Sequence, residues 1–170
     1  MAAYMAQFHP EVLWWCPQLP PSPQEAARLI AQGTAHWPDS MAVIGSSLGG
    51  FYATWLAAQR ACRAVLINPA VHPARDLAKY IGEQSSWHAP DAHFYFAPEF
   101  VDALKTLEVG ALAHPERVLA LIATGDEVLD WREMTARYPQ SPQTVINGGD
   151  HALSDFEQYL PQILGFLGLV

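Results

Sequence analysis

The sequence predicts a three-layer α/β fold, a mainly parallel sheet with helices on both faces, and three observations carry that prediction. Short apolar runs recur at residues 12–16, 41–44, 64–68, 118–124 and 144–147. They are continuous rather than alternating, as strands are when both faces of their sheet are covered. Helix-start signals lie in the segments between them, and strand followed by helix, repeated, winds a parallel sheet. The third observation is length: 170 residues make one domain, and such a chain buries roughly 70% of the surface its unfolded form exposes, so its core needs no disulfide or metal.

The elements follow in order. Residues 1–10 carry no basic residue ahead of their apolar positions, so they do not read as a secretory leader. Residues 12–16 predict the first strand. Ser22, Pro23 and Glu25 then form a capping box with proline at the first helical position, and Gly33 reads as the stop. Residues 41–59 are uncharged and long enough to resemble a membrane span. Gly45, Ser46, Ser47, Gly49 and Gly50 fall at the centre, however, where a spanning helix is most apolar and regular, so the stretch predicts a strand, a tight turn and a helix in a soluble protein. Another strand is expected at 64–68. Residues 71–97 fit the repeat worst: they hold His72, Trp87, His88, His93, Phe94, Tyr95 and Phe96 where a plain crossover would do. Such a long connection is a candidate small cap over a pocket, or else a meandering surface loop. The last two strands, 118–124 and 144–147, are each followed by a capping pair, Asp130 with Glu133 and Ser154 with Glu157, ahead of further helices.

In open parallel sheets ligands sit at the carboxyl ends of strands, so the residues just after each run carry the chemistry. After 41–44 comes Gly45-Ser46-Ser47-Leu48-Gly49, the G-x-S-x-G nucleophile elbow in its strand-to-helix setting. The turn holds Ser47 in strained angles, and side chains at Gly45 or Gly49 are expected to collide with neighbouring backbone. The helix N-terminus behind Ser47 favours developing negative charge. The plain alternative is a glycine-rich turn that happens to contain serine. A phosphate loop fits less well, because the lysine that reaches phosphates is missing.

A serine hydroxyl needs a base and a group to orient that base. After 118–124 come Gly125, Asp126 and Glu127, and after 144–147 come Gly148, Gly149, Asp150 and His151. The order Ser47, Asp126, His151 is the order serine, acid, histidine found on one particular class of sheet enzyme. Glu127 or Asp130 could replace Asp126. Asp130 is better explained as a helix N-cap, and Glu127, next door, should point elsewhere, which favours Asp126. A loop histidine is often merely solvated, but His151 precedes a helix signal and follows two glycines that allow close approach. If it is the base, the rate falls on acidification as the imidazole takes up a proton.

Seventeen acidic residues against nine basic ones give a formal charge of −8, which leaves no basic surplus for a nucleic-acid partner. Cys16 and Cys62 are too few for a disulfide framework and read as reduced thiols of a cytosolic protein. His88 and His93 flank Asp91, but their spacing matches no zinc motif and no metal is expected.

Several motifs together resemble the YqiA-like esterases, small bacterial α/β-hydrolases. They are Pro17-Gln18-Leu19-Pro20, the run from Gly45 to Leu56, Asn68-Pro69-Ala70-Val71, Thr124-Gly125-Asp126-Glu127-Val128-Leu129-Asp130, and Gly148-Gly149-Asp150-His151-Ala152. The resemblance covers the whole chain. It implies hydrolysis of small-molecule acyl esters or thioesters through an acyl-enzyme, with no metal or organic cofactor.

Members of that family open with a strand and a His-Gly-Phe loop, followed by a helix. Here Met1 falls inside the expected helix and no His-Gly pair precedes it. The resemblance therefore implies that the N-terminal strand and the loop supplying a second oxyanion N–H are lacking, as from an incomplete gene start, leaving Leu48 N–H alone. The strand would lie between those at 12–16 and 41–44. The rival expectation is a catalytically silent hydrolase-like scaffold that binds a ligand or a protein partner.

Overall fold

The computed structural model describes residues 1–85 and 93–169. Helix α1, Ala2–Phe8, buries Met5. Helix α2, Pro23–Thr34, starts where the sequence places it: the Ser22 side chain accepts the Glu25 N–H at 3.4 Å and Pro23 opens the first turn. Ala26, Ala27, Ile30 and Thr34 form its buried stripe. Gly33 is not the stop. It lies inside α2, and a Cβ there would overlap the Trp15 ring, so the glycine makes room for an indole rather than ending a helix.

Strand β1, Ala42–Ser46, leads into α3, Leu48–Arg60, and then β2, Arg63–Ile67. Arg60 ties this unit to α2 by donating to the carbonyl of Thr34 (2.6 Å), the last residue of that helix, and to that of Trp37 (2.8 Å) in the turn beyond it. Next come α4, Pro73–Leu77, the strands β3, Gly82–Ser85, and β4, His93–Phe96, and α5, Pro98–Thr106. Strands β3 and β4 pair antiparallel, so the segment that fits the repeat worst holds a small hairpin of its own. Trp87, His88 and Asp91 lie outside the described residues. The chain returns to the main sheet with β5, Val118–Ala123, then α6, Trp131–Arg137, β6, Gln143–Ile146, and α7, Leu160–Leu167.

The main sheet has the order β1-β2-β5-β6 with every pair parallel. Period-two alternation in β2 and β5 feeds two separate cores. Ala64, Leu66, Val118, Ala120 and Ile122 point into a cluster with Ala26 of α2, Phe51 and Leu56 of α3, Leu104 of α5 and Met134 of α6. Val65, Ile67, Leu119, Leu121 and Ala123 point the other way, onto Ile163 of α7. That is the expected sheet with helices on both faces. Among the described residues no helix is long and apolar enough to cross a membrane.

Two expectations need correction. Residues 12–16 form no strand, and no backbone hydrogen bond joins 13–16 to the sheet. An apolar run becomes a strand only against a ladder partner, and among the described residues β1 pairs with β2 alone. The segment instead helps to line an apolar groove of about 760 Å³ beside β1, with Val12, Trp14 and Leu19 on its wall together with Val43 and Ile44. The second correction concerns Ser154 and Glu157. Their box does not form: a 3₁₀ turn spans Phe156–Tyr159 and α7 begins only at Leu160, where Pro161 takes the early helical position that suits its missing N–H. The other box closes halfway. Asp130 caps α6 by accepting the Arg132 N–H at 2.9 Å, whereas the Glu133 carboxylate turns to Arg75 of α4 in a bidentate pair of 2.8 and 2.7 Å.

Candidate active site

Ser47 stands between β1 and α3 with φ 53° and ψ −123°, a positive-φ conformation that costs a non-glycine residue about 1–3 kcal/mol. The surroundings hold it there. Its N–H donates to Ile67 O at 2.9 Å, and its carbonyl accepts from Gly50 N (2.9 Å), Phe51 N (3.3 Å) and Ala70 N (2.9 Å), so the turn is tied to the loop after β2. Gly45 has the expected role, because a Cβ on it would overlap the Gly49 carbonyl. Gly49 does not: a Cβ there meets nothing within 4 Å. The second tight glycine is Gly50, whose Cβ would press on Pro69. The Ser47 side chain makes no capping bond to α3, which leaves its hydroxyl free. Leu48 opens α3, so its N–H has no acceptor within the helix.

The two loops that follow β5 and β6 are built against each other. Thr124 N donates to Ile146 O at 2.8 Å, Gly125 N to Gly148 O at 2.8 Å, and Gly148 N to the Thr124 hydroxyl at 2.9 Å. Gly148 and Gly149 have φ of 79° and 74°, left-handed values that suit glycine, and a Cβ on Gly125 would overlap the Gly149 carbonyl. This interlock brings Asp126 and His151 together.

The Asp126 side chain is 0% exposed and uses both oxygens. Oδ1 accepts the backbone N–H groups of Val128 and Leu129, each at 2.8 Å, and Oδ2 lies 2.8 Å from His151 Nδ1. A carboxylate only accepts, so Nδ1 carries the ring proton and Nε2 is left as an acceptor. Nε2 is 2.9 Å from Ser47 Oγ, on a side chain 21% exposed. Three strand ends thus converge in one hydrogen-bonded chain.

Of the rival acids, Asp130 caps α6, as the sequence suggests. The ring Nδ1 partners Asp126, and the Glu127 Oε2 instead accepts the His151 backbone N–H at 3.0 Å. The Asp150 carboxyl is held below the usual carboxylate range by hydrogen bonds from Ser154, side chain first and then backbone. Asn68, which sequence reading leaves inside a motif without a task, is 0% exposed and donates from Nδ2 to the carbonyls of both Asp150 and His151 at 3.0 Å. Asn147 follows β6 in the same way, so sequence position does not single Asn68 out; its positive φ of 40°, which asparagine tolerates better than most residues, emerges only in the structure. His93 is exposed on β4, 3.3 Å from the Ser85 hydroxyl.

A serine on a strand-to-helix elbow, with its acid and histidine partners following later strands of a parallel sheet, defines the α/β-hydrolase fold. The chain belongs to UPF0227, described as an uncharacterised protein family, which matches residues 1–168 and is the YqiA-like family that the motifs resemble. Among solved structures, the chain is similar to mouse alpha/beta hydrolase domain-containing protein 10, with a TM-score of 0.63 at 14% identity, covering 86% of this chain and 70% of the mouse chain. Est1E from Butyrivibrio proteoclasticus gives 0.61 at 15% identity, over 87% of this chain and 70% of that one. A Paleococcus ferrophilus monoacylglycerol lipase gives 0.60 at 17%, over 86% and 75%.

Proposed function

We propose that the protein is a serine hydrolase that cleaves small-molecule acyl esters or thioesters through an acyl-enzyme. The observation that carries this reading is the unbroken chain from Ser47 Oγ to His151 Nε2 (2.9 Å) and from His151 Nδ1 to Asp126 Oδ2 (2.8 Å). Est1E and the monoacylglycerol lipase among the similar structures agree with it.

In the mechanism, His151 Nε2 takes the Ser47 proton as Oγ bonds to the acyl carbon. Asp126 stays ionised, keeps the imidazole oriented and stabilises the imidazolium. The carbonyl electrons move onto oxygen, where Leu48 N–H and the N-terminus of α3 receive the charge. Collapse breaks the C–O or C–S bond and the imidazolium protonates the departing alcohol or thiol. Water then repeats the sequence, with His151 taking its proton, releasing the acid and restoring the Ser47 hydroxyl.

A silent scaffold is the rival where Leu48 N–H is the only oxyanion donor. Losing one donor costs about 10²–10³ in rate, which slows such a reaction without removing it. The test is turnover of p-nitrophenyl and thioester acyl substrates together with labelling by a fluorophosphonate probe. Wild type should turn over and label at Ser47, and Ser47→Ala should do neither. Folded wild type that never labels, or Ser47→Ala with wild-type turnover, refutes the assignment.

A further inference from the structure

We propose that Asn68 is a positioning residue for His151, holding the backbone that carries the imidazole without touching substrate; this rests on the hydrolase reading above. The side chain is fully buried at the carboxyl end of β2 and all of its hydrogen-bonding groups are occupied. Nδ2 donates to Asp150 O and His151 O, both at 3.0 Å. Oδ1 accepts the N–H of Ala123, the last residue of β5 and three positions before Asp126, at 2.8 Å. The backbone N–H of Asn68 donates to Leu121 O at 2.9 Å. A flipped amide would set an oxygen against two carbonyls and an NH₂ against an N–H, so only one orientation satisfies the site.

The consequence is a clamp on both sides of one residue. Glu127 Oε2 takes the His151 N–H at 3.0 Å from the solvent side, and Asn68 takes its carbonyl and the preceding one from the buried side. The same amide, through Ala123, fixes the root of the loop that presents Asp126. His151 Nε2 must meet Ser47 Oγ across elements that share no covalent neighbour, and a misplacement of about 1 Å costs about 10² in rate. The positive φ of 40° at Asn68 aims the amide at the histidine loop, in a conformation that asparagine tolerates better than most residues.

Asn68→Asp separates the two jobs. The carboxylate keeps an acceptor for Ala123 N–H but sets its second oxygen against the two loop carbonyls. We expect kcat to fall about 10–100-fold with KM within about twofold. Fluorophosphonate labelling of Ser47 should slow by the same factor, and the downfield proton resonance of the His151–Asp126 hydrogen bond should move or broaden in protein that is folded by circular dichroism. Asn68→Gly is the second variant, because its backbone suits the left-handed angle; it should lose kcat in the same way. Wild-type kcat, labelling and imidazole resonance in either folded variant overturn the proposal. So does failure of both to fold, which would assign Asn68 to the fold. A wild type that neither turns over nor labels refutes the hydrolase reading itself, whereas an active wild type with an equally active Asn68→Asp removes this inference alone.

Discussion

Replacing Asp126 by asparagine tests the acid with almost no change of volume, and the structure dictates how the new amide would sit. Oδ1 is held by two backbone N–H groups at 2.8 Å, from Val128 and Leu129. An NH₂ placed there would face two donors, so the amide oxygen must take that position and the nitrogen must take the place of Oδ2. That nitrogen then stands 2.8 Å from His151 Nδ1 with a proton to donate. The imidazole is forced to accept at Nδ1 and to carry its own proton at Nε2, the atom 2.9 Å from Ser47 Oγ. A ring protonated at Nε2 cannot take the serine proton. The wrong tautomer in a triad of this kind costs about 10⁴ in kcat, or about 5.4 kcal/mol at about 1.36 kcal/mol per decade. The assay is steady-state p-nitrophenyl ester hydrolysis, with circular dichroism and a thermal midpoint to show that the two backbone bonds still hold the loop. A folded Asp126→Asn enzyme within tenfold of wild type would refute the orientation argument and the role given to Asp126.

Two further predictions concern packing and burial. Gly45→Ala should destabilise the fold by about 1–3 kcal/mol, because its methyl enters the Gly49 carbonyl, and should lower esterase activity with it. Gly49→Ala points into open space and should stay within about 1 kcal/mol of wild type, on the stabilising side, since alanine favours a helix over glycine. Thermal melts compare the two, and equal losses would contradict the elbow geometry. Burial pushes the hydroxyls of Tyr52 and Tyr138 above their ordinary value, and the hydrogen bond from Tyr138 to Thr54 (2.9 Å) does not reverse this. A raised folded-state value means the folded form keeps its proton longer than the unfolded one. The stability both contribute is therefore full below about pH 10, the unfolded value, and declines as pH rises beyond it. Tyrosinate absorbance in an alkaline titration should rise for these two residues together with loss of circular dichroism, and titration without unfolding would refute it.

Much of the site is legible in the sequence because its signals are local. Gly45 to Gly49 after an apolar run, and Gly125-Asp126 and Gly148-Gly149-Asp150-His151 after similar runs, each describe a strand end by itself. What the sequence does not show are relations between those ends. Asn68 reaches Ala123 and Asp150, 55 and 82 positions away, and nothing within its own neighbourhood records either contact. Glu127, set aside in the sequence as the acid, grips the His151 backbone, a contact invisible for the same reason. The strand expected at 12–16 fails on a different ground: apolarity marks a segment for burial, but only a neighbour's free N–H and C=O groups make it a strand. Gly49 and Gly50 exchange roles because a turn motif names glycines without saying which one faces backbone.

The reach of the Ser47–His151 contact sets when the site comes into being. It closes across 104 positions and waits on the pairing of β2 with β5, which joins Ala64 to Val118 across 54 positions, whereas β1–β2 and β5–β6 join residues 21 and 23 positions apart. Neighbouring elements such as β1, α3 and β2 meet over short separations, and long-range pairings are formed later and at greater entropic cost. A chain can therefore hold its elbow, both cores in outline and most of its secondary structure while the histidine is still out of place. On the hydrolase reading proposed above, the Ser47 hydroxyl gains its base only once β2 and β5 have joined the two halves of the sheet.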